Sequence, residues 1–260
     1  MLLVVDIGNT NITLGLYDGD QPGPRWRLAT AHDRMPDEYG LQFLGLLTHS
    51  HVSLESITGV CMGSVVPPLT GKIQETCRRY LLRDPLIIGA GVKTGVRIRV
   101  DYPQGVGADR VADAAAVKHL YGGPACVVDF GTATTFDAVS AQGDYLGGAI
   151  APGIGIAAEA LFTRTAQLPR VDLTRPPAVI GRNTVHAMQS GLVFGNVSMV
   201  EGMVQRFRDE LGPEMKVIAT GGLAETIAKE TQVIQIIAPW LTLDGLRVIW
   251  EVNQKGREGK

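Results

Sequence analysis

Val4-Val5-Asp6-Ile7-Gly8 near the start of the chain and Val127-Val128-Asp129-Phe130-Gly131 near its middle write one pattern twice. Each copy is an apolar run that ends in an acid and a glycine, the signature of a buried strand meeting a turn. Each continues into small polar residues, Asn9-Thr10-Asn11 and Thr132-Ala133-Thr134. Each then runs through an extended stretch to a Gly-Asp pair, Gly19-Asp20 and Gly143-Asp144. A repeat of this size sets the architecture before any single motif is weighed. It predicts two related lobes facing each other, each with an acid at a strand end beside a glycine-opened turn. Such a pair suits a nucleotide phosphate chain and its metal, held in a cleft between the lobes.

Working outward from the first copy, residues 2–7, 12–17 and 25–30 read as strands, with Asp18-Gly19 as a hairpin turn. Pro36 opens a helix, Asp37 and Glu38 suit its first turn, and Phe43, Leu44 and Leu47 form its apolar face. A buried strand at residues 57–63 precedes a helix opened by Pro67 or Pro68, with Leu69, Ile73, Cys77 and Leu81 on one side. A short strand at 86–88 leads into a glycine-rich stretch at 89–106, with a candidate strand at 96–100. Residues 108–120 read as an alanine-rich helix.

The second half restarts the order. Strands fall near 125–129, 134–139 and 145–151, and Pro152-Gly153 breaks into a helix through Leu161. A proline-rich loop at 164–180 precedes a long helix at 184–211, whose Gly191, Gly195 and Gly202 predict a kink or a close helix contact. Residues 217–219 and 233–237 read as strands, with Thr220-Gly221-Gly222 and a helix between them, and 241–252 as a final helix. Both halves read, loosely, β-β-β-α-β-α-β-α. That is the ribonuclease H-like unit, duplicated: an α/β fold of two lobes, residues 1–120 and 121–260. The last helix is a candidate to pack back on the first lobe.

The 260 residues are enough for one large or two medium domains, and 45% hydrophobic content is ordinary for a globular protein. A net charge of −2, with both signs mixed along the chain, gives no basic stripe for nucleic acid. No apolar run reaches the length of a membrane span, and the first residues meet Asp6 too soon for a signal peptide. Cys61, Cys77 and Cys126 are odd in number and scattered, which predicts buried thiols in a reducing compartment. The expected location is the cytoplasm.

In Asp6-Ile7-Gly8-Asn9-Thr10-Asn11, the glycine lets backbone approach a ligand, and the turn amides and small polar side chains suit phosphate oxygens. Asp6 suits Mg²⁺, which binds through one or two carboxylates plus phosphates. A plain hairpin turn explains one copy, but not a matched acid in each lobe. Gly221-Gly222 ends a strand and opens a helix. It reads as bare backbone for an adenine ring, or as an ordinary strand-to-helix turn. In Gly107-Ala108-Asp109-Arg110, Asp109 reads equally as an N-cap and as a base for a hydroxyl proton. Arg110 is then a fork for an acidic substrate. In Ile180-Gly181-Arg182-Asn183-Thr184, Asn183 or Thr184 is a natural N-cap. No cysteine and histidine set has zinc spacing, and neither a P-loop nor a Gly-x-Ser-x-Gly elbow occurs.

These segments, in this order, resemble the type III pantothenate kinases, within the acetate and sugar kinase, heat-shock chaperone and actin superfamily. The resemblance also takes in Ser64-Val65-Val66-Pro67-Pro68-Leu69, Gly147-Gly148-Ala149-Ile150-Ala151-Pro152-Gly153 and Leu243-Asp244-Gly245-Leu246. It implies an actin-like ATPase fold and ATP-dependent phosphorylation of pantothenate, the first step of coenzyme A synthesis. It implies Asp109 as general base, and Tyr102, Gly107, Ala108, Asp109, Arg110 and Thr184 as pantothenate contacts. Asp6, Ile7, Gly8, Asn9, Thr10, Asn11, Ile12, Thr13 and Thr132 become ATP contacts, with Mg²⁺ accompanying ATP at Asp6. Asp129 resembles the ligand of a monovalent cation, potassium or ammonium. A homodimer with the active site at its interface follows from the same resemblance. The alternatives are a sugar or carboxylate kinase of the superfamily, a conformational ATPase, and a regulatory paralogue.

Overall fold

The computed structural model describes residues 1–258, so the last two residues of the expected second lobe lie outside the described residues. The chain divides into two compact units: Met1–Tyr121 with the chain from Leu241 onward, and Gly122–Trp240.

The first unit is built on β1 (Leu2–Ile7), β2 (Asn11–Asp18), β3 (Gln21–Ala29), β4 (Gly59–Ser64) and β5 (Leu86–Ile87), in sheet order β3-β2-β1-β4-β5. β1 is central, antiparallel to β2 and parallel to β4. A central strand covered on both faces reads as a continuous apolar run, and Leu2 to Val5 are all buried. Alternation sends Leu3, Val5 and Ile7 to one face, where they meet Tyr39 and Phe43 of α1 (Pro36–His49) and Leu69, Ile73 and Cys77 of α2 (Pro67–Tyr80). The opposite face carries Val4 and Asp6. It is covered by α3 (Ala108–Ala116) and α7 (Leu241–Glu258). Fully burying each such aliphatic side chain contributes about 1.5–3 kcal/mol.

The segment Leu243-Asp244-Gly245-Leu246 works here as packing. Leu243 and Leu246 are buried. A Cβ on Gly245 would stand 1.9 Å from the Ala112 carbonyl oxygen, so the glycine is what lets α7 lie against the α3 backbone. Asp244 accepts a 2.6 Å hydrogen bond from the Tyr17 hydroxyl and lies 3.8 Å from the Arg25 guanidinium. Burial first, and then the Asp244 carboxylate, push the Tyr17 hydroxyl well above its ordinary pKa.

The second unit repeats the plan with β6 (Ala125–Phe130), β7 (Ala133–Val139), β8 (Tyr145–Pro152), β9 (Lys216–Thr220) and β10 (Ile236–Ile237), in order β8-β7-β6-β9-β10. Strand for strand this is the order of the first sheet. Cys126, Val128 and Phe130 pack with residues of α4 (Ile154–Arg164), α5 (Thr184–Leu211) and α6 (Ala224–Ala228).

Several local expectations change. The third strand begins four residues earlier than residue 25, because the β2–β3 pairing runs back to Asp18 and Gln21 through a bulge. Residues 96–100 form only an isolated bridge at Ile98; glycines at 89, 91 and 95 leave that stretch short of a strand. The helix from residue 108 ends at Ala116 and continues as a π turn, Val117–Tyr121. Two helices, α4 and α5, separate β8 from β9, as the breaks at Pro152-Gly153 and Asn183-Thr184 predict, one more than the loose β-β-β-α-β-α-β-α pattern holds. α5 runs unbroken, and Gly191 and Gly195 have nothing within 4 Å of where a Cβ would stand.

Candidate functional site

In the first unit three chain ends converge at the carboxyl end of the central strands, the usual place for ligands in an open α/β sheet. Asp6, next to last in β1, pairs in register with Thr13 of β2 and Gly63 of β4. Val65 donates its N–H to the Ile7 carbonyl at 3.0 Å, tying the end of β4 to the end of β1. Ser64 holds the next turn: its hydroxyl accepts the Val66 N–H at 3.2 Å and the Thr70 hydroxyl at 2.8 Å. The point where a Gly63 Cβ would stand is 3.6 Å from Ala108 Cβ and 4.0 Å from Asp6 Oδ1. The tightest neighbour of that point is Leu246 Cδ2 at 3.2 Å, so the bare backbone at Gly63 makes room for α7, while the start of α3 and the Asp6 carboxylate flank it at ordinary contact distance.

The structure assigns the cap of α3 to Gly107, so Asp109 is not the N-cap. Asp109 lies in the first helical turn, half-buried, and its Oδ1 accepts the Arg110 N–H at 2.8 Å. A carboxylate there is favoured by the helix dipole. A Cβ on Gly107 would stand 2.4 Å from that oxygen, so the glycine leaves the carboxylate its place. Tyr102 is 67% exposed in the preceding loop, with its ring over Gly105.

The Gly8–Asn11 turn is closed by a 2.9 Å hydrogen bond from the Gly8 N–H to the Asn11 carbonyl, and it leaves Asn9, Thr10 and Asn11 exposed. Ile7 and Ile12 are fully buried. Their side chains belong to the core, and only their backbone has a part to play at a ligand.

The second unit holds its acid differently. Asp129 pairs in register with Thr135 and Thr220. Two glycines crowd its carboxylate. A Cβ on Gly221, whose φ is +90°, would come 2.3 Å from Oδ1, and one on Gly131 would come 3.5 Å from Oδ2. Thr132 is exposed on the turn between β6 and β7, and Gly222 faces open space. Asn183 caps α5 by accepting the His186 N–H at 2.8 Å, which places Thr184 as the first helical residue. Val179, Ile180 and Val185 around it are 68%, 83% and 41% exposed.

The residue types fit hydrated Mg²⁺ with phosphates at Asp6, which needs few protein ligands. Among the described residues, no group of three or more His, Cys, Asp or Glu gathers to hold a metal. A cation beside Asp129 would therefore draw most of its ligands from backbone oxygens, water or phosphate.

Sequence reasoning missed Gly63, which ends a plain apolar strand. It also missed Thr30, whose hydroxyl donates to the Gly8 carbonyl, and Lys72, which donates to the His32 and Arg34 carbonyls; these partners are distant in the chain, so no local pattern marks them.

The family model for type III pantothenate kinase matches residues 2–206. Type III pantothenate kinases of Brevibacillus brevis and Moorella thermoacetica are each 52% identical to this chain; they align over 98% and 97% of it and over their whole lengths. Among solved structures, a Campylobacter jejuni protein described as a Baf family transcriptional activator superposes with a TM-score of 0.59 at 21% identity, covering 97% of this chain and 99% of that one. The Clostridium difficile activator of 2-hydroxyisocaproyl-CoA dehydratase, with bound ADPNP, gives 0.53 at 12% identity over 100% and 98%. At these identities the superpositions speak for the fold.

Proposed function

This chain belongs to the type III pantothenate kinase family, and from that premise we infer that it transfers the γ-phosphoryl group of ATP to pantothenate, the first step of coenzyme A biosynthesis. The observation that best supports a phosphotransferase is the Gly63 contact. Around Gly63 the start of α3, whose first turn carries Asp109, lies beside the Asp6 strand end.

In this reading Asp109 accepts the proton of the pantothenate hydroxyl as that oxygen attacks phosphorus. Phosphoryl transfer asks for positioning and charge neutralisation more than covalent help, so a carboxylate held by the Arg110 N–H is sufficient. Arg110, with Gly107, Ala108, Tyr102 and Thr184, binds the pantothenate anion. Asp6 to Thr13, Thr132, Gly221 and Gly222 contact ATP. Mg²⁺ supplies neutralisation of the phosphate oxygens, with Asp6 as its protein anchor. Asp129 holds the monovalent cation, potassium or ammonium.

We also propose a homodimer with the active site at the interface. The exposed apolar residues Val179, Ile180 and Val185 beside Thr184 support that assignment, and light scattering of the eluted protein tests it. The cytoplasm is the compartment this chemistry implies, and three free, buried thiols agree with it. No described helix is long and apolar enough to cross a membrane.

ADP release from ATP and Mg²⁺, measured with and without pantothenate in potassium and then sodium buffer, tests the activity. Pantothenate-dependent release is expected, greater in potassium. Release that ignores pantothenate points to a conformational ATPase or another acceptor, and no release to a regulatory paralogue.

A further inference from the structure

The two turns that follow the matched acids are not built alike. Four residues, Gly8 to Asn11, separate the last β1–β2 pair, Ile7 and Ile12, whereas three, Gly131 to Ala133, separate Phe130 and Thr134. In the second unit the chain leaving β8 sits directly on the turn: a Cβ on Gly153 would stand 2.2 Å from the Thr132 carbonyl oxygen. In the first unit the corresponding chain, leaving β3, presents Thr30. Its hydroxyl donates to the Gly8 carbonyl at 2.7 Å, and its N–H donates to the Thr10 carbonyl at 2.9 Å.

Thr30 is anchored in turn. The hydroxyl of Tyr39, which is fully buried, donates to the Ala31 carbonyl at 2.8 Å and accepts the Ala31 N–H at 3.1 Å. The Lys72 ammonium on α2 donates to the carbonyls of His32 and Arg34, each at 2.9 Å. A continuous set of hydrogen bonds therefore runs from the α1 and α2 layer through residues 30–34 to the glycine turn.

We propose that Thr30 is a positioning residue for nucleotide phosphate. By gripping the Gly8 and Thr10 carbonyls it turns them away from the ligand side and sets the amides of the turn for anionic oxygens. A four-residue turn with a free glycine has several low-energy conformations, and carbonyls facing the phosphates would repel them. Thr30 touches neither reacting atom, so its effect is on nucleotide affinity and alignment. The inference rests on the Asp6–Thr13 segment being the phosphate site.

The test uses Thr30→Val, which keeps shape and loses the hydroxyl, and Thr30→Ser, which keeps the hydroxyl. Nucleotide affinity is read by titrating the protein with Mg-ADP, which needs no acceptor and separates this inference from failure of the pantothenate assignment. Steady-state constants for ATP and pantothenate are read beside it. Losing one hydrogen bond of ordinary strength corresponds to about a fivefold loss of affinity. Thr30→Val is expected to weaken Mg-ADP binding and raise the KM for ATP by about that factor, to leave the KM for pantothenate unchanged, and to be rescued by Thr30→Ser. Unchanged nucleotide constants in a folded Thr30→Val protein overturn the proposal, as do equal losses for both substrates. Should Thr30→Val not fold, Lys72→Met releases the same segment from α2; unchanged Mg-ADP affinity there counts equally against it.

Discussion

Gly221 and the carboxylate of Asp129 compete for one position: a Cβ on Gly221 would stand 2.3 Å from Asp129 Oδ1. The glycine also holds φ at +90°, a conformation that costs other residues strain. Its neighbour Gly222 has nothing within 4 Å of the same point. Gly221→Ala is expected to lose about 2 kcal/mol of stability or more and to raise the KM for ATP. Gly222→Ala is expected to melt like the wild type. Thermal melts of both decide it, and equal melting temperatures for the two variants would show that the clash is relieved elsewhere.

Asp109→Asn keeps the shape of the side chain and removes the proton acceptor. Turnover should fall by about 10²–10⁴-fold, with the KM values for ATP and pantothenate near those of the wild type. Near-normal turnover would remove Asp109 from the role of base.

Asp129→Ala should weaken activation by potassium. The matched acid in the second unit and the glycines kept beside it motivate this expectation. A potassium titration of the variant that superimposes on that of the wild type would count against a cation at Asp129.

Gly245 and Gly71 are both helix glycines with opposite surroundings. A Cβ on Gly245 meets the Ala112 carbonyl oxygen at 1.9 Å, and one on Gly71 meets nothing within 4 Å. Gly245→Ala should destabilise by about 1–3 kcal/mol by pushing α7 off α3. Gly71→Ala should stabilise by about 0.5–1 kcal/mol through helix propensity. Urea denaturation gives both signs, and a stabilised Gly245→Ala would refute the close-packing account.

Burial pushes the Cys61 and Cys77 thiols from 9.0 up to about 12, and it raises that of Cys126 as well. A raised folded pKa means the folded state holds its proton longer than the unfolded chain. The stability this represents is complete below pH 9 and is lost as pH rises towards 12. Urea midpoints should therefore fall with pH above about 9, and the Cys61→Ala/Cys77→Ala variant should fall less steeply. Parallel slopes for the two proteins would assign the alkaline loss to other groups.

Much of the fold was legible because its signals are local. The apolar runs ending in Asp6 and Asp129 are central strands, covered on both faces in the first unit, and such strands need no alternation. Pro36 and Pro67 open α1 and α2 because a missing N–H costs nothing in a first helical turn. The bounds of α5 follow from the Asn183 cap and Gly212. The stretch at 96–100 misled because β-branched residues alternate there, yet only Ile98 forms a bridge.

The sequence by itself determined the duplication, the two acids at strand ends, the glycine turns beside them and the family, since each rests on residue types in linear order. Only the tertiary structure decided that α7 belongs to the first unit, that Gly107 rather than Asp109 caps α3, and that Thr30 grips the Gly8 turn. These depend on contacts between segments far apart in the chain. A carbonyl, a hydroxyl or a missing Cβ acquires its meaning there from strand register and helix packing, which no local spacing encodes.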